Sequence, residues 1–305
     1  MAKLLSVISA KQFDKKTLNL IFKSADKIKS GKYRNNLLKG KVMATIFYEP
    51  STRTRFSFES AMLKLGGQVI STENASQFSS VSKGETLEDT IRIVALYSDV
   101  IVLRHFMSGA SELAVKYSDV PIINAGDGEG EHPTQALYDL YTILTRFKNG
   151  KFTISMVGDL TFGRTIHSLS RLLILYPKAK MIFVSPQALK IPDWLRVELK
   201  KKKVDFIETE DFKESIKKSD IIYMTRIQKE RFKSTSQYQK YFGKYILDKQ
   251  LLSSLKAKTY IMHPLPRINE IDPEIDNDPR AIYFEEAKNG LFIRMAILKL
   301  LFDRK

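Results

Sequence analysis

Over most of its length the chain alternates between short apolar runs that suit buried strands and longer stretches with apolar residues at helical spacing. Asp14 caps a predicted helix with Leu18, Ile21, Phe22, Ala25 and Ile28 on one face, and Gly31 stops it. Residues 42–48 form an apolar run that reads as a buried strand, broken by Glu49-Pro50. Ser51 then stands as the N-cap of a helix whose apolar face is Phe56, Phe58, Ala61, Met62 and Leu65, ended by Gly66-Gly67. A second strand is predicted at 68–72. Residues 73–83 are polar, serine-rich and without apolar period, a loop of the length that is functional or disordered. A helix over 86–97 has Thr86 and Asp89 in capping-box spacing. A strand at 99–103 delivers Arg104-His105 at its carboxyl end. A helix over 108–117 and a strand at 121–124 follow, then a flexible turn at 125–131. Pro133 suits the first position of the next helix, which carries Ala136, Leu137, Leu140, Ile143 and Leu144.

Lys148-Asn149-Gly150-Lys151 is the clearest linker, and after it the alternation restarts. Strands are predicted at 152–157, 181–184, 204–207, 220–224 and 259–262. Helices follow Gly163 as far as Tyr176 and lie near 193–202 and 211–217, with a Pro/Asp loop at 272–280. A last helix carries Leu291, Ile293, Met295, Ala296, Ile297, Leu300 and Leu301. The pattern predicts an α/β protein of two doubly wound parallel-sheet domains with the active site in the cleft between them.

Composition narrows the chemistry. The chain has 305 residues and no cysteine, which excludes disulfides, thiol nucleophiles and Cys-type zinc sites. Four histidines leave little for a metal centre, and no apolar run approaches the roughly 18 residues that span a bilayer. No signal peptide is read at the N-terminus, and a cytoplasmic location is expected. The formal charge is +16, from 50 Lys+Arg against 34 Asp+Glu. Scattered lysines without a nucleic-acid-binding motif point to small anions rather than to nucleic acid or membrane. The run at 200–203 reads as the polar end of a surface helix.

The candidate chemistry gathers where strands end and helices begin. Ser51, Thr52, Arg53, Thr54 and Arg55 crowd hydroxyls and guanidinium groups into one helical first turn, where free N–H groups and the helix dipole favour an anion. The like charges of Arg53 and Arg55 suggest an anion between them. From strand ends alone, the cleft collects Arg53, Arg55, Lys83, Arg104, His132, Arg164, Arg226 and Arg267. No carboxylate pair suited to acid–base work and no Ser-His-Asp set joins them. Gly158 and Gly163 alone do not make a dinucleotide fingerprint.

In this order the motifs Ser51-Thr52-Arg53-Thr54-Arg55, Ser79 to Glu85, Arg104-His105, His132-Pro133-Thr134-Gln135, Gly158-Asp159 with Gly163-Arg164-Thr165, Thr225-Arg226 with Gln228, and His263-Pro264-Leu265-Pro266-Arg267 resemble the catalytic chains of aspartate carbamoyltransferases, over essentially the whole chain. The ornithine branch of the family carries a characteristic cysteine where this chain has His263-Pro264-Leu265-Pro266. The resemblance implies transfer of a carbamoyl group from carbamoyl phosphate to the α-amine of L-aspartate, in pyrimidine biosynthesis, with no metal and no organic cofactor. It implies a carbamoyl phosphate-binding domain at 1–133, completed by a C-terminal helix at 288–305, and an aspartate-binding domain at 134–287.

By position, the resemblance gives carbamoyl phosphate to Ser51, Thr52, Arg53, Thr54, Ser79, Arg104, His132, Gln135 and the carbonyls of Pro264 and Leu265. It gives aspartate to Lys83, Arg164, Arg226 and Gln228, and catalysis to Thr54, Lys83, Arg104 and His132. Glu49, with Arg164 and Arg231, is expected to latch the domains when both substrates are bound. Ser79 and Lys83 are expected to come from an adjacent subunit of a homotrimer, to which regulatory chains could dock. The competing readings are another carbamoyltransferase such as the ornithine type, a basic nucleic-acid-binding protein, and a non-catalytic amino-acid-binding module. Arg226 and the absent cysteine weigh against the first.

Overall fold

The computed structural model describes residues 4–75, 84–232 and 234–303. The chain divides into two compact units, Met1–Tyr141 with Lys288–Lys305, and Thr142–Ala287. The first unit holds α1 (Lys15–Lys29), β1 (Val42–Phe47), α2 (Thr52–Lys64), β2 (Gln68–Glu73), α3 (Leu87–Tyr97), β3 (Val100–His105), α4 (Ala110–Lys116), β4 (Ile122–Asp127) and the start of α5 (Pro133–Arg146). Its strands pair in parallel in the order β2-β1-β3-β4. The inner strands β1 and β3 read as mostly apolar runs because both their faces are covered, whereas the edge strand β2 is polar and largely exposed. On one face Ala44, Ile46, Ile101, Leu103 and Ile122 pack with Ile91 of α3 and with Ala110 and Ala114 of α4.

The second unit holds β5 (Phe152–Val157), α6 (Arg164–Leu173), β6 (Ala179–Val184), α7 (Asp193–Lys201), β7 (Phe206–Thr209), α8 (Phe212–Lys218), β8 (Ile221–Met224), α9 (Thr235–Gln239), α10 (Lys249–Ser253), β9 (Tyr260–Met262) and the start of α11 (Tyr283–Phe302). This sheet is also parallel, in the order β7-β6-β5-β8-β9. Val157, Ile182, Val184, Ile222, Met224 and Ile261 pack with Phe212 and Ile216 of α8. The chain runs from one unit into the other inside α5 and again inside α11, so the 148–151 stretch joins α5 to β5 and is not where the units part.

Several local expectations differ from what the structure shows. Ser51 is the N-cap of α2 by position, yet its side chain makes no capping bond. Its backbone N–H instead reaches the Glu73 carboxylate at 3.2 Å. Phe56 is 52% exposed, so the buried stripe of α2 is narrower than its apolar spacing suggests. The expected flexible turn at 125–131 begins as strand. β4 continues through buried Ala125, Gly126 and Asp127, and the Asp127 carboxylate accepts the Gly109 and Glu131 N–H groups at 2.9 and 2.8 Å. Helix α6 stops at Leu173, because Leu175 and Tyr176 bond three residues back and tighten the last turn. Helices α9 and α10 have five residues each, too few to establish an apolar period.

Candidate active site

In each sheet the strand order reverses at one place. In the first unit β1 sits between β2 and β3, and in the second β5 sits between β6 and β8. Loops leaving the carboxyl ends of the two strands at such a reversal diverge to opposite faces, and ligands of open α/β sheets bind in the crevice this opens. The candidate residues fall there. Ser51 to Arg55 follow β1, and Arg104 ends β3. Arg164 follows β5, and Arg226 and Gln228 follow β8.

At the first reversal Arg104 lies beside Phe47 in the register, and its carbonyl accepts the Tyr48 N–H at 2.9 Å. Its guanidinium reaches both neighbouring strand ends, the Ala125 carbonyl at 3.4 Å and the Glu49 carboxylate at 3.5 Å. The side chain next along, His105, turns inward. It stacks on Phe106 and meets the tilted Tyr48 ring, and its Nδ1 accepts the Met107 N–H at 3.0 Å. Burial, only partly opposed by Glu49, pushes its pKa down to about 4, which keeps it neutral and structural.

On α2, Thr52 and Arg53 are exposed and Thr54 is buried. Arg55 departs from expectation. It pairs with Glu73 at 3.2 Å and lies 3.9 Å from Glu59, so its charge is matched inside the protein and calls for no anion between it and Arg53. His132 and Gln135 open α5, both buried, with Pro133 at its first position. Two helix N-termini and one half-buried guanidinium therefore issue from adjacent strand ends, an arrangement that binds anions and stabilises developing negative charge. Ser79 and Lys83 lie outside the described residues.

At the second reversal the loops after β5 and β8 are in close contact. Gly158 has φ +123°, and a Cβ there would stand 2.2 Å from the Thr225 carbonyl oxygen. Gln228 donates to the Phe162 carbonyl at 3.0 Å, tying the Arg226 loop to the turn that leads into Arg164. Gln228 thus holds the Arg226 loop against the turn before α6. The Arg226 guanidinium is engaged on both terminal nitrogens by Glu230, which raises its pKa. Glu230 was not anticipated, because residues 225–228 are not helical and the helical i+4 rule gives no signal there. Asp159, fully buried, accepts the Phe162 N–H at 3.0 Å, and burial pushes its pKa up to about 6 against that and other backbone bonds. Arg231 ends a short 3-10 turn after β8 and is half-buried.

After β9, His263 is buried. Its Nδ1 accepts the Leu265 N–H at 2.8 Å, and its Nε2 meets Glu270 at 2.7 Å. With Nδ1 accepting, Nε2 carries the proton and donates to the carboxylate. This holds Leu265 at φ +55°, a conformation that a non-glycine residue adopts only when its surroundings impose it. Arg267 does not join the candidate donors. It forks onto Asp276 and lies over the Tyr283 ring at 5.3 Å. Among the described residues, no group of three or more His, Cys, Asp or Glu side chains is placed to hold a metal ion, and no helix is long and apolar enough to cross a membrane.

Known proteins share both halves of this arrangement. The family described as aspartate/ornithine carbamoyltransferase, carbamoyl-P binding domain, matches residues 6–145, and its Asp/Orn binding domain matches residues 150–301. A chloroplastic aspartate carbamoyltransferase of Arabidopsis thaliana is 53% identical over 97% of this chain and 77% of its own. A catalytic subunit from Clostridium novyi is 48% identical over 96% of both chains. Among solved structures, the M. jannaschii aspartate transcarbamoylase catalytic subunit superposes with a TM-score of 0.89 at 46% identity, covering 98% of each chain. The Trypanosoma cruzi aspartate transcarbamoylase in complex with N-(phosphonacetyl)-L-aspartic acid gives 0.90 at 40% identity, covering 98% of this chain and 96% of that one. With both domains matched in sequence and the whole fold shared, this chain belongs to the aspartate/ornithine carbamoyltransferase family.

Proposed function

We propose that the protein is an aspartate carbamoyltransferase, which moves the carbamoyl group from carbamoyl phosphate to the α-amine of L-aspartate, giving N-carbamoyl-L-aspartate and phosphate, as a step of pyrimidine biosynthesis in the cytoplasm. The observation that carries this reading is the first strand-order reversal, where Arg104 and the N-terminal turns of α2 and α5 offer cationic, hydroxyl and imidazole donors from adjacent strand ends. Ser51, Thr52, Arg53, Thr54 and Arg104 bind the phosphate. Thr54, Arg104 and His132 donate to the carbamoyl oxygen. Gln135 and the carbonyls of Pro264 and Leu265 accept from the carbamoyl amine. Arg164 takes the α-carboxylate of aspartate, and Arg226 exchanges Glu230 for its side-chain carboxylate.

The chemistry follows from the donors. The α-amine attacks the carbamoyl carbon, and negative charge collects on the carbonyl oxygen, where preorganised donors lower the barrier. The C–O bond to phosphate then breaks. Guanidinium groups lower the basicity of the departing dianion, and the phosphate accepts the amine proton, so no protein carboxylate is needed as base. The test is an assay with carbamoyl phosphate and either aspartate or ornithine, following the ureido product in the absence of added metal. Turnover with aspartate and none with ornithine is expected, and the reverse would overturn the assignment.

Two finer proposals accompany it. Ser79 and Lys83 serve the site of a neighbouring subunit in a homotrimer. Mixing inactive Lys83→Ala with inactive His132→Ala subunits is expected to restore activity, and none despite proven exchange would refute sharing. Glu49 also serves domain closure, trading Arg104 for Arg164 and Arg231 once both substrates are bound. Glu49→Gln is then expected to weaken aspartate use and spare carbamoyl phosphate binding.

A further inference from the structure

Gln135 sits in a buried network whose other members the sequence did not single out. Its Nε2 donates to Asp139 Oδ1 at 2.9 Å, and its Oε1 accepts the hydroxyl proton of Tyr138. Gln135, Tyr138 and Asp139 are all buried. A carboxylate only accepts, so Asp139 dictates which end of the Gln135 amide it faces, and the amide cannot turn over without losing the Asp139 bond, while the Tyr138 hydroxyl fixes the direction of the oxygen.

The Tyr138 ring is itself fixed. The guanidinium of buried Arg294, on α11, lies 5.2 Å from the ring centroid and donates to Ser57 Oγ at 2.7 Å. Gly290, one turn earlier on α11, leaves the space the ring occupies, since a Cβ there would stand 3.0 Å from two ring carbons. A glycine inside a helix is destabilising relative to alanine, and here it makes room for Tyr138.

We infer that Tyr138 and Asp139 lock the Gln135 amide with its oxygen as the group offered to substrate, and so make Tyr138 a positioning residue that selects an acyl phosphate ending in –NH₂ over one of the same shape ending in –CH₃. The inference rests on the proposed role of Gln135. The Tyr138 hydroxyl uses one lone pair of Oε1, and the other accepts a carbamoyl N–H. A methyl group in that place leaves a buried acceptor unsatisfied, which costs a factor of roughly 10–100 in affinity. Without the hydroxyl, the oxygen loses one of the two contacts that fix its direction.

The test compares phosphonoacetamide with acetonylphosphonate, stable ligands that differ only in NH₂ against CH₃, binding to the full chain. The parent protein is expected to prefer the amide. Tyr138→Phe, which keeps the ring against Gly290, is expected to weaken the amide about fivefold, the worth of one hydrogen bond, and leave the methyl ketone unchanged. Adding Tyr138→Phe to Gln135→Ala is expected to change nothing further. Equal weakening of both ligands, no weakening of either, or additive losses would overturn the inference. If Gln135→Ala leaves the preference intact, the proposed role of Gln135 falls and the inference with it. An effective Gln135→Ala with a silent Tyr138→Phe removes the inference alone. Should Tyr138→Phe not fold, Asp139→Asn, which offers both donor and acceptor and so frees the amide to turn, reads the same ratio with the same expected outcome.

Discussion

The two strand-order reversals share a topology and differ in how they present positive charge. At the first, the proposed donors are two helix N-terminal turns with their hydroxyls, a buried imidazole, and the guanidinium groups of exposed Arg53 and of Arg104, the latter braced by Glu49 and a strand carbonyl. At the second, Arg164 opens α6, and Arg226 is forked onto Glu230. The first suits a tetrahedral anion and a carbonyl approached from several sides. The second suits planar carboxylates, which guanidinium forks match in pairs. A common scaffold thus acquires two specificities through the residues that end its strands, and a carboxylate of the protein already occupies the place we assign to one carboxylate of the second substrate.

The comparison breaks most sharply at Arg104. Arg104→Ala removes the donor we propose for the developing oxyanion, and kcat is expected to fall about 10²–10³-fold. A change in the aspartate KM alone would remove Arg104 from the carbamoyl half.

The acid following each first strand sharpens the contrast. Glu49 is half-buried beside Arg104, whereas Asp159 is fully buried with its pKa raised to about 6. The folded protein therefore holds a proton there that the unfolded chain releases above its ordinary value of 3.8, and this group makes stability fall as pH rises from about 4 to 6 and leaves it level above. Asp159→Asn mimics the protonated acid. Its unfolding free energy should gain on the parent across that window by about 2–3 kcal/mol, and a gain independent of pH would count against the shift. His167, buried and held at about 4 by desolvation, contributes the opposite slope, with stability lost as pH falls from 6.5 toward 4. The Asp159→Asn difference isolates the first from the second.

At the carboxylate-binding end, Arg226→Lys keeps the charge and loses the fork. The aspartate KM should rise about 10–100-fold while carbamoyl phosphate binding is untouched. Equal loss for both substrates would mean that the two reversals do not divide the work as proposed. The smallest effect serves as a control. Asp248 caps α10 through the Leu251 N–H at 2.7 Å, far along the chain from either set of donors. Asp248→Ala should cost about 1 kcal/mol of stability and leave both substrate constants alone.

Much of this was legible beforehand because strands buried on both faces leave runs rich in apolar residues, as 42–47 and 152–157 do with only Thr45, Thr153 and Ser155 polar among them, and because polar clusters at their ends stand out. What was hidden has a physical cause in each case. Arg55 and Arg267 looked like site cations because nothing local reveals that Glu73 and Asp276 neutralise them across the fold. Glu230 lies four residues from Arg226 outside any α-helix, and Tyr138 lies one turn along α5 from Gln135, and neither carried a motif. Their roles depend on which way a side chain turns, and periodicity alone does not state that.

The passage of α5 and α11 between the units bears on how the chain is made. Every strand of the second sheet leaves the ribosome before residue 288, while the guanidinium that steadies Tyr138 is translated after it. The unit begun first is finished last: until α11 is made, the first unit lacks the Arg294 guanidinium beside Tyr138.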